Sequence, residues 1–324
     1  MRRIAIVLTA LAIVACGNVS ASPPQPTATA PSTTWVTPTT DGPRLPTTST
    51  TIQATTSTTE APGSSTTTQP TQAPEARSIV VAPYFFIDEA GHPNRTGPFV
   101  VPVAREVAHT RAVARAAIEQ LLAGPTKAER DGVPSLSSAI PPGVRLLGLA
   151  ISEDIATIDL SKEFGATEDS ATVAQRAAQV VFTLSRFDSV AEVLFMQEGA
   201  PVAIQIGDGD LVSRPVGIWD YLEFAAAISV ETPIYGGVAE NPLRVLGFGA
   251  VFEATFQYAL TDADGLIIAE GMAMTNNGTG WGGFEFTIPY SVDEAQVGAL
   301  IVWTYSAENG EQIDVREYPV KLVP

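Results

Sequence analysis

The side chains best suited to chemistry here are acids, hydroxyls and two histidines, and their spacing decides what each could do. One cluster closes the run Ile155-Ala-Thr-Ile-Asp-Leu-Ser-Lys-Glu-Phe164, where Asp159, Ser161, Lys162 and Glu163 stand close together. A general acid or base needs a partner within hydrogen-bond reach, and the sequence supplies no obvious one. Alternation puts Ala156, Ile158 and Leu160 on one face of a strand, Thr157 and Asp159 on the other, and Ser161 where the chain leaves it. Asp159 and Ser161 are therefore expected to bond exposed backbone amides at that exit, with Phe164 folding back onto the core. Of the two histidines, His92 falls in a turn and His109 at a helix entrance. A dyad or metal cage would rest on one of them alone, so surface or capping roles are expected.

Two acidic loops have the composition of calcium ligands: Gly207-Asp-Gly-Asp210, and Asp262-Ala-Asp-Gly265 with Glu270. In the second, glycine stands fourth where an EF-hand loop needs it sixth, so it reads as a hairpin turn. Asn94-Arg-Thr96 and Asn277-Gly-Thr279 fit the N-glycosylation pattern. The chain has no Gly-x-Ser-x-Gly elbow, no His-Glu-x-x-His pair and no Gly-x-x-x-x-Gly-Lys loop. A glycosidase needs two carboxyls facing each other about 5–9.5 Å apart, and the acids here fall in turns and on helix faces without singling out a pair. No catalytic, cofactor-binding or metal-ligating residue is assigned, and the one modification site is Cys16.

The 324 residues are 45% hydrophobic and 16% charged, enough for two ordinary domains. The net charge of −17 is uneven. Residues 1–76 balance, whereas 77–225 carry a net −7 and 226–324 a net −10, so the acidity lies on the parts expected to fold. Such a surface repels phosphates and anionic headgroups, which argues against nucleic acid as a partner.

Two arginines, an apolar stretch from Ile4 to Ala15 and Cys16 open the chain. About a dozen apolar residues are too few to span a bilayer, but they suit the core of an export signal. Ile13-Val14-Ala15-Cys16 resembles the bacterial lipobox. That resemblance implies a diacylglyceryl group on the Cys16 thiol, cleavage just before it, and acylation of the new N-terminus, palmitate being the expected chain. Residues 1–16 are thus expected to be a lipoprotein signal and Cys16 the membrane anchor. No second cysteine is present, which leaves no disulfide frame and no thiolate metal site. Residues 17–76 are rich in Thr, Pro, Ser and Ala, too poor in apolar surface to offset the entropy of ordering, and are expected to form a disordered stalk. A flexible coil of that length averages about 40 Å end to end, and a proline-stiffened one approaches about 190 Å.

Residues 77–224 are expected to form an α+β module of a sheet and two helices. Ser78–Ile87 and Gly97–Arg105 read as strands joined by a polar turn. A helix follows, capped by Thr110, with Val113, Ala117, Ile118, Leu121 and Leu122 on one face and Gly124-Pro125 at its end. Val144–Ile151 and Ile155–Leu160 form a hairpin, Ala171–Arg186 a second amphipathic helix, and Ala191–Gln197 with Pro201–Ile206 a further hairpin. From Ile228 onward only strand signals recur, and seven runs over residues 225–324 predict an immunoglobulin-like β-sandwich. Phe252, Phe256, Phe284, Phe286 and Trp303 are its expected large core residues.

The string "LSSAIPPGVRLLGLAISEDIATIDLSKEF", with "AAIEQLLAGPT" before it and "AEVLFMQEGAPV" after it, resembles the GerMN domain over roughly residues 78–222. That domain is named for a lipoprotein of sporulation and spore germination, and related copies occur in actinobacterial lipoproteins. "ISVETPIYGGVAENPLRVLGFGAVFEATFQYAL" and "GTGWGGFEFTIPY" resemble the immunoglobulin-like domain of bacterial spore germination proteins. The pairing implies a lipid-anchored protein on the outer face of the cytoplasmic membrane. It would be a non-catalytic binding or assembly module of the cell envelope, linked to sporulation or germination, with no cofactor. Its expected partners are the membrane, through lipidated Cys16, and an envelope protein or peptidoglycan component. A wall-active hydrolase and an accessory subunit of a membrane sensor are the alternatives.

Overall fold

The computed structural model describes residues 77–87, 98–132, 134–165, 169–207 and 209–324. Cys16, the expected stalk, His92, Asn94 and Asp208 lie outside the described residues. Pro83 has no N–H to give a ladder, and the first expected strand divides there into β1 (Ser78–Val81) and β2 (Tyr84–Ile87). Its partner divides likewise into β3 (Phe99–Pro102) and β4 (Arg105–Ala108). β2 pairs antiparallel with β3 and β1 with β4, so the two expected strands form one broken hairpin. α1 (Val113–Ala123) buries Ala117, Ile118 and Leu121 and stops at Gly124, whose φ of 77° a residue with a Cβ adopts only with strain. Thr110 does not cap it: the N-cap is Ala112, and Thr110 Oγ1 accepts from the Ala112 amide at 3.0 Å. α2 (Lys127–Arg130) is opened by a capping box of Thr126 and Glu129, and β5 (Leu136–Ser137) adds to the β3-β2 sheet.

β6 (Leu146–Ser152) and β7 (Ile155–Leu160) meet at Glu153 and Asp154, both with positive φ, as a tight right-twisted hairpin requires. α3 (Ser170–Leu184) then carries the chain back so that β8 (Glu192–Gln197) pairs parallel with β7. β9 (Ala200–Pro201) pairs with only the last two residues of β8, and β10 (Ile204–Gln205) pairs with β11 (Leu211–Val212). The expected second hairpin is therefore short, and its last rung is the Val202 amide donating to Phe195 O at 3.2 Å. α3 is buried on nearly every side. Arg176, Gln179 and Thr183, spaced like a solvent-facing stripe, are instead buried and occupied with backbone. Arg176 Nε donates to the Ala139 carbonyl at 3.0 Å, and Gln179 accepts from the Ala139 amide at 2.9 Å. A buried polar group without such a partner would cost about 1–3 kcal/mol.

The remaining strands are β12 (Ile228–Thr232), β13 (Val238–Ala239), β14 (Leu243–Gly249), β15 (Thr255–Thr261), β16 (Ile267–Met274), β17 (Gly282–Ile288), β18 (Gln296–Tyr305) and β19 (Gln312–Leu322). They form a three-stranded sheet, β12-β14-β17, and a five-stranded sheet, β13-β19-β18-β15-β16. Between the sheets the Phe256 and Phe284 rings lie 4.8 Å apart and the Tyr258 and Phe286 rings 4.7 Å apart. Phe256 and Phe284 are buried as expected, while Phe286 and Trp303 are half-buried. Phe252 departs from expectation at 67% exposure. Glu253 and Ala254 take left-handed φ values of 54° and 58°, which turns the chain over before β15 starts.

The α+β module and the sandwich share one apolar core. Phe182 of α3 stacks near Phe248 of β14 with ring centres 6.5 Å apart, and the Arg316 guanidinium of β19 lies 4.7 Å over the Phe99 ring of β3. Tyr235 adds a strand-like bridge: its amide donates to Pro102 O at 3.0 Å, and its carbonyl accepts from the Ala104 amide at 3.1 Å. The connection through Ala225, Ala226 and Ala227 is itself buried.

Candidate functional site

Where the β1–β4 hairpin meets the stretch from Thr232 to Glu240, a cleft of about 790 Å³ opens between the two modules. That volume is within the range of ligand sites. Its inner wall holds Arg186 and Glu231, and the positions of both follow from α3. Thr183 Oγ1 accepts from the Tyr84 amide at 3.0 Å, and Gln179 Nε2 donates to the Tyr84 carbonyl at 2.8 Å. With its backbone fixed on both sides, Tyr84 directs its hydroxyl across the seam to donate to Glu231 Oε2. Two residues beyond α3, Arg186 Nη1 donates to the same oxygen at 2.8 Å and to the Glu231 carbonyl at 3.1 Å.

Glu231 is only 3% exposed. Burial raises its pKa against the pull of Arg186, because the low-dielectric surroundings disfavour the charged form. Burial and then the Glu231 charge push the Tyr84 hydroxyl well above the usual phenol range. Glu106, Glu240 and Arg244 also line the cleft; Arg244 is engaged with Glu285 at 2.9 Å. The arrangement can receive a ligand that offers hydrogen-bond donors and positive charge. Chemistry by a pair of opposed carboxyls has less to work with, since the buried acid of this cleft, Glu231, is bonded to an arginine and a tyrosine.

The residues singled out from sequence lie elsewhere. Both Asp159 oxygens accept from the Gly199 amide, at 3.0 and 3.1 Å, and Ser161 Oγ accepts from the Arg145 amide at 2.9 Å. These are the backbone bonds expected at the strand exit. The Ser161 hydroxyl also holds the half-buried Glu163 carboxyl below its ordinary pKa. Phe164 is buried and stacks 5.8 Å from Phe195. His109 donates its backbone amide to Arg77 O and is exposed. Asp262 Oδ1 accepts from the amides of Asp264 and Leu266, both at 2.9 Å, so that loop is a hairpin turn tied by its own carboxylate. Asn277 Oδ1 accepts from Thr279 within another turn. Among the described residues no group of three or more His, Cys, Asp or Glu converges as a metal ion requires. None of Asp159, Ser161, His109, Asp262 or Asn277 lines the cleft.

Tyr84, Arg186 and Glu231 were not singled out by sequence reasoning. The one signal was Glu231 itself, a lone acid inside the strand-like run Ile228–Thr232.

No curated protein matches this chain. Solved structures resemble it, among them the following three. The first GerMN domain of the sporulation protein GerM from Bacillus subtilis is 17% identical, covering 43% of this chain and 97% of that one, with a TM-score of 0.34. The tandem GerMN domains of the same protein are 15% identical, covering 66% and 62%, with a TM-score of 0.36. A Clostridium perfringens protein provisionally named a lipoprotein is 22% identical, covering 44% and 89%, with a TM-score of 0.30. Residues 83–203 match the family model Germane, described as sporulation and spore germination. Residues 227–311 match Gmad2, the immunoglobulin-like domain of bacterial spore germination. The chain therefore joins a GerMN-type domain of sporulation and spore germination to an immunoglobulin-like domain of bacterial spore germination.

Proposed function

We propose that this protein is an extracytoplasmic binding or assembly component of the bacterial envelope, held at the membrane by a lipid on Cys16 and acting without catalysis. Its domains are those of sporulation and spore germination proteins, which supports a role in one of those processes. The observation that carries the reading is the seam: two modules with one core enclose a cleft whose buried acid accepts hydrogen bonds from Arg186 and Tyr84. That is a surface shaped for a partner. No helix among the described residues is long and apolar enough to cross a membrane. The −17 charge favours a cationic or neutral envelope partner over nucleic acid.

A wall-active hydrolase has one observation in its favour, a buried carboxyl of raised pKa in a cleft, the usual state of a general acid. Two experiments separate the readings. In the producing cell, Cys16→Ser should move the protein out of the membrane fraction, and cross-linking should capture an envelope partner in fixed ratio. A peptidoglycan zymogram should show no clearing. Wall clearing by the wild type that Glu231→Gln abolishes would overturn the binding reading.

A further inference from the structure

The cleft is bordered by two strand edges. Among the described residues β1 pairs only with β4 and β13 is the end strand of its sheet, so each has one edge on which no described strand lies. The hydrogen-bond phase shows which residues face that way. The Arg77 carbonyl accepts from the His109 amide, so the β1 residues that bond β4 are those at odd numbers and the Val80 main chain turns to the open edge. On the other wall, Gly237 O accepts from the Lys321 amide on the β19 side, so the pleat turns the amide and carbonyl of Val238 away from β19. Val80 and Val238 both line the cleft and are 57% and 61% exposed.

The inner wall has a matching feature. Glu231 is buried and lines the cleft, and its Oε1 takes no hydrogen bond from the described residues. Toward the described residues Arg186 commits only Nη1. An acceptor and a donor are thus left side by side, which complements a peptide unit with its N–H and C=O. The entrance adds charge: Glu106 and Glu240 are exposed acids, whereas Arg244 is already paired.

From these observations we infer that the cleft takes an extended, basic polypeptide segment as an added strand. Val80 and Val238 supply main-chain bonds, Arg186 and Glu231 bond one peptide unit, and Glu106 and Glu240 attract its basic side chains. The inference rests on the binding reading above and names its partner's chemistry.

The test is fluorescence anisotropy on the purified full chain in detergent, with three probes: a short labelled peptide of alternating valine and lysine, its valine–glutamate counterpart, and a copy N-methylated at alternate residues. The basic peptide should bind, and the other two should bind at least about tenfold more weakly. Glu106→Lys with Glu240→Lys, both at exposed positions, should weaken the basic peptide by a similar factor at low salt and by less at high salt. Equal binding of the acidic or the N-methylated peptide would overturn the inference, as would tighter binding of a muropeptide or self-association through this cleft in sedimentation. The peptide assay does not depend on Cys16 or on a cellular partner. Absent peptide binding alongside a cross-linked envelope partner therefore sinks the cleft assignment alone.

Discussion

Arg186, just past the end of α3, meets Glu231 of β12 at 2.8 Å, and this ion pair joins the two modules. Removing one member of a buried pair strands the other and costs about 3–5 kcal/mol, whereas replacing both by apolar residues is often close to neutral. The Arg186 side chain keeps 20% of its exposure, so the lower end of that range applies. Arg186→Met and Glu231→Leu should each lower stability by about 3 kcal/mol in urea unfolding, and the double variant should lose at least about 1 kcal/mol less than their sum. Strict additivity would mean the two side chains do not act as a pair.

The same acid sets a pH dependence. The folded-state pKa of Glu231 is raised above its ordinary 4.5, so its contribution is complete below about pH 4.5 and is lost as pH rises through the folded value. Glu231→Gln removes that titration. Unfolding curves of wild type and variant should nearly coincide around pH 4, and the variant should gain on the wild type as pH rises toward 7. A gap of the opposite sign would mean that attraction to Arg186 outweighs burial.

A third prediction concerns backbone packing in the sandwich. A Cβ on Gly247 would run into the Ser229 carbonyl and the Phe284 ring, whereas one on Gly283, across the β14–β17 ladder, would meet nothing closer than 3.8 Å. Overpacking of this kind costs about 1–3 kcal/mol. Gly247→Ala should therefore lower the melting temperature by several degrees, while Gly283→Ala should leave it within about two degrees.

Asp159 makes its bonds at a surface, to one backbone amide. Asp159→Asn keeps an acceptor and loses the charge, so a loss of about 1 kcal/mol is expected. Hydrogen exchange should report faster opening at Gly199, the amide that Asp159 holds.

Local pattern carried much of the fold into the sequence. The alternation of Ala156, Ile158 and Leu160 located β7 and its polar exit, and the Asp262–Gly265 turn was readable because one carboxylate can satisfy the amides that follow it. Phe252 misled because aromatic character signals a strand core, while the left-handed turn beside it has no hallmark in Glu253-Ala254. Arg176, Gln179 and Thr183 fall at a spacing that reads as a wet face of α3, and only the loop carbonyls and amides arriving from far along the chain account for their burial. The seam was hidden for the same reason. Tyr84, Arg186 and Glu231 are about a hundred and fifty residues apart at the extremes, and each alone is an unremarkable polar residue in an apolar context.

Between the last turn of the first module and β12 the chain passes through Ala225, Ala226 and Ala227, all buried. That passage has no slack, and swinging one module against the other would pull these alanines and the Phe182–Phe248 stack into water. The hinge between the halves is thus built into the same interior as the halves themselves, and opening it costs what wetting that interior costs.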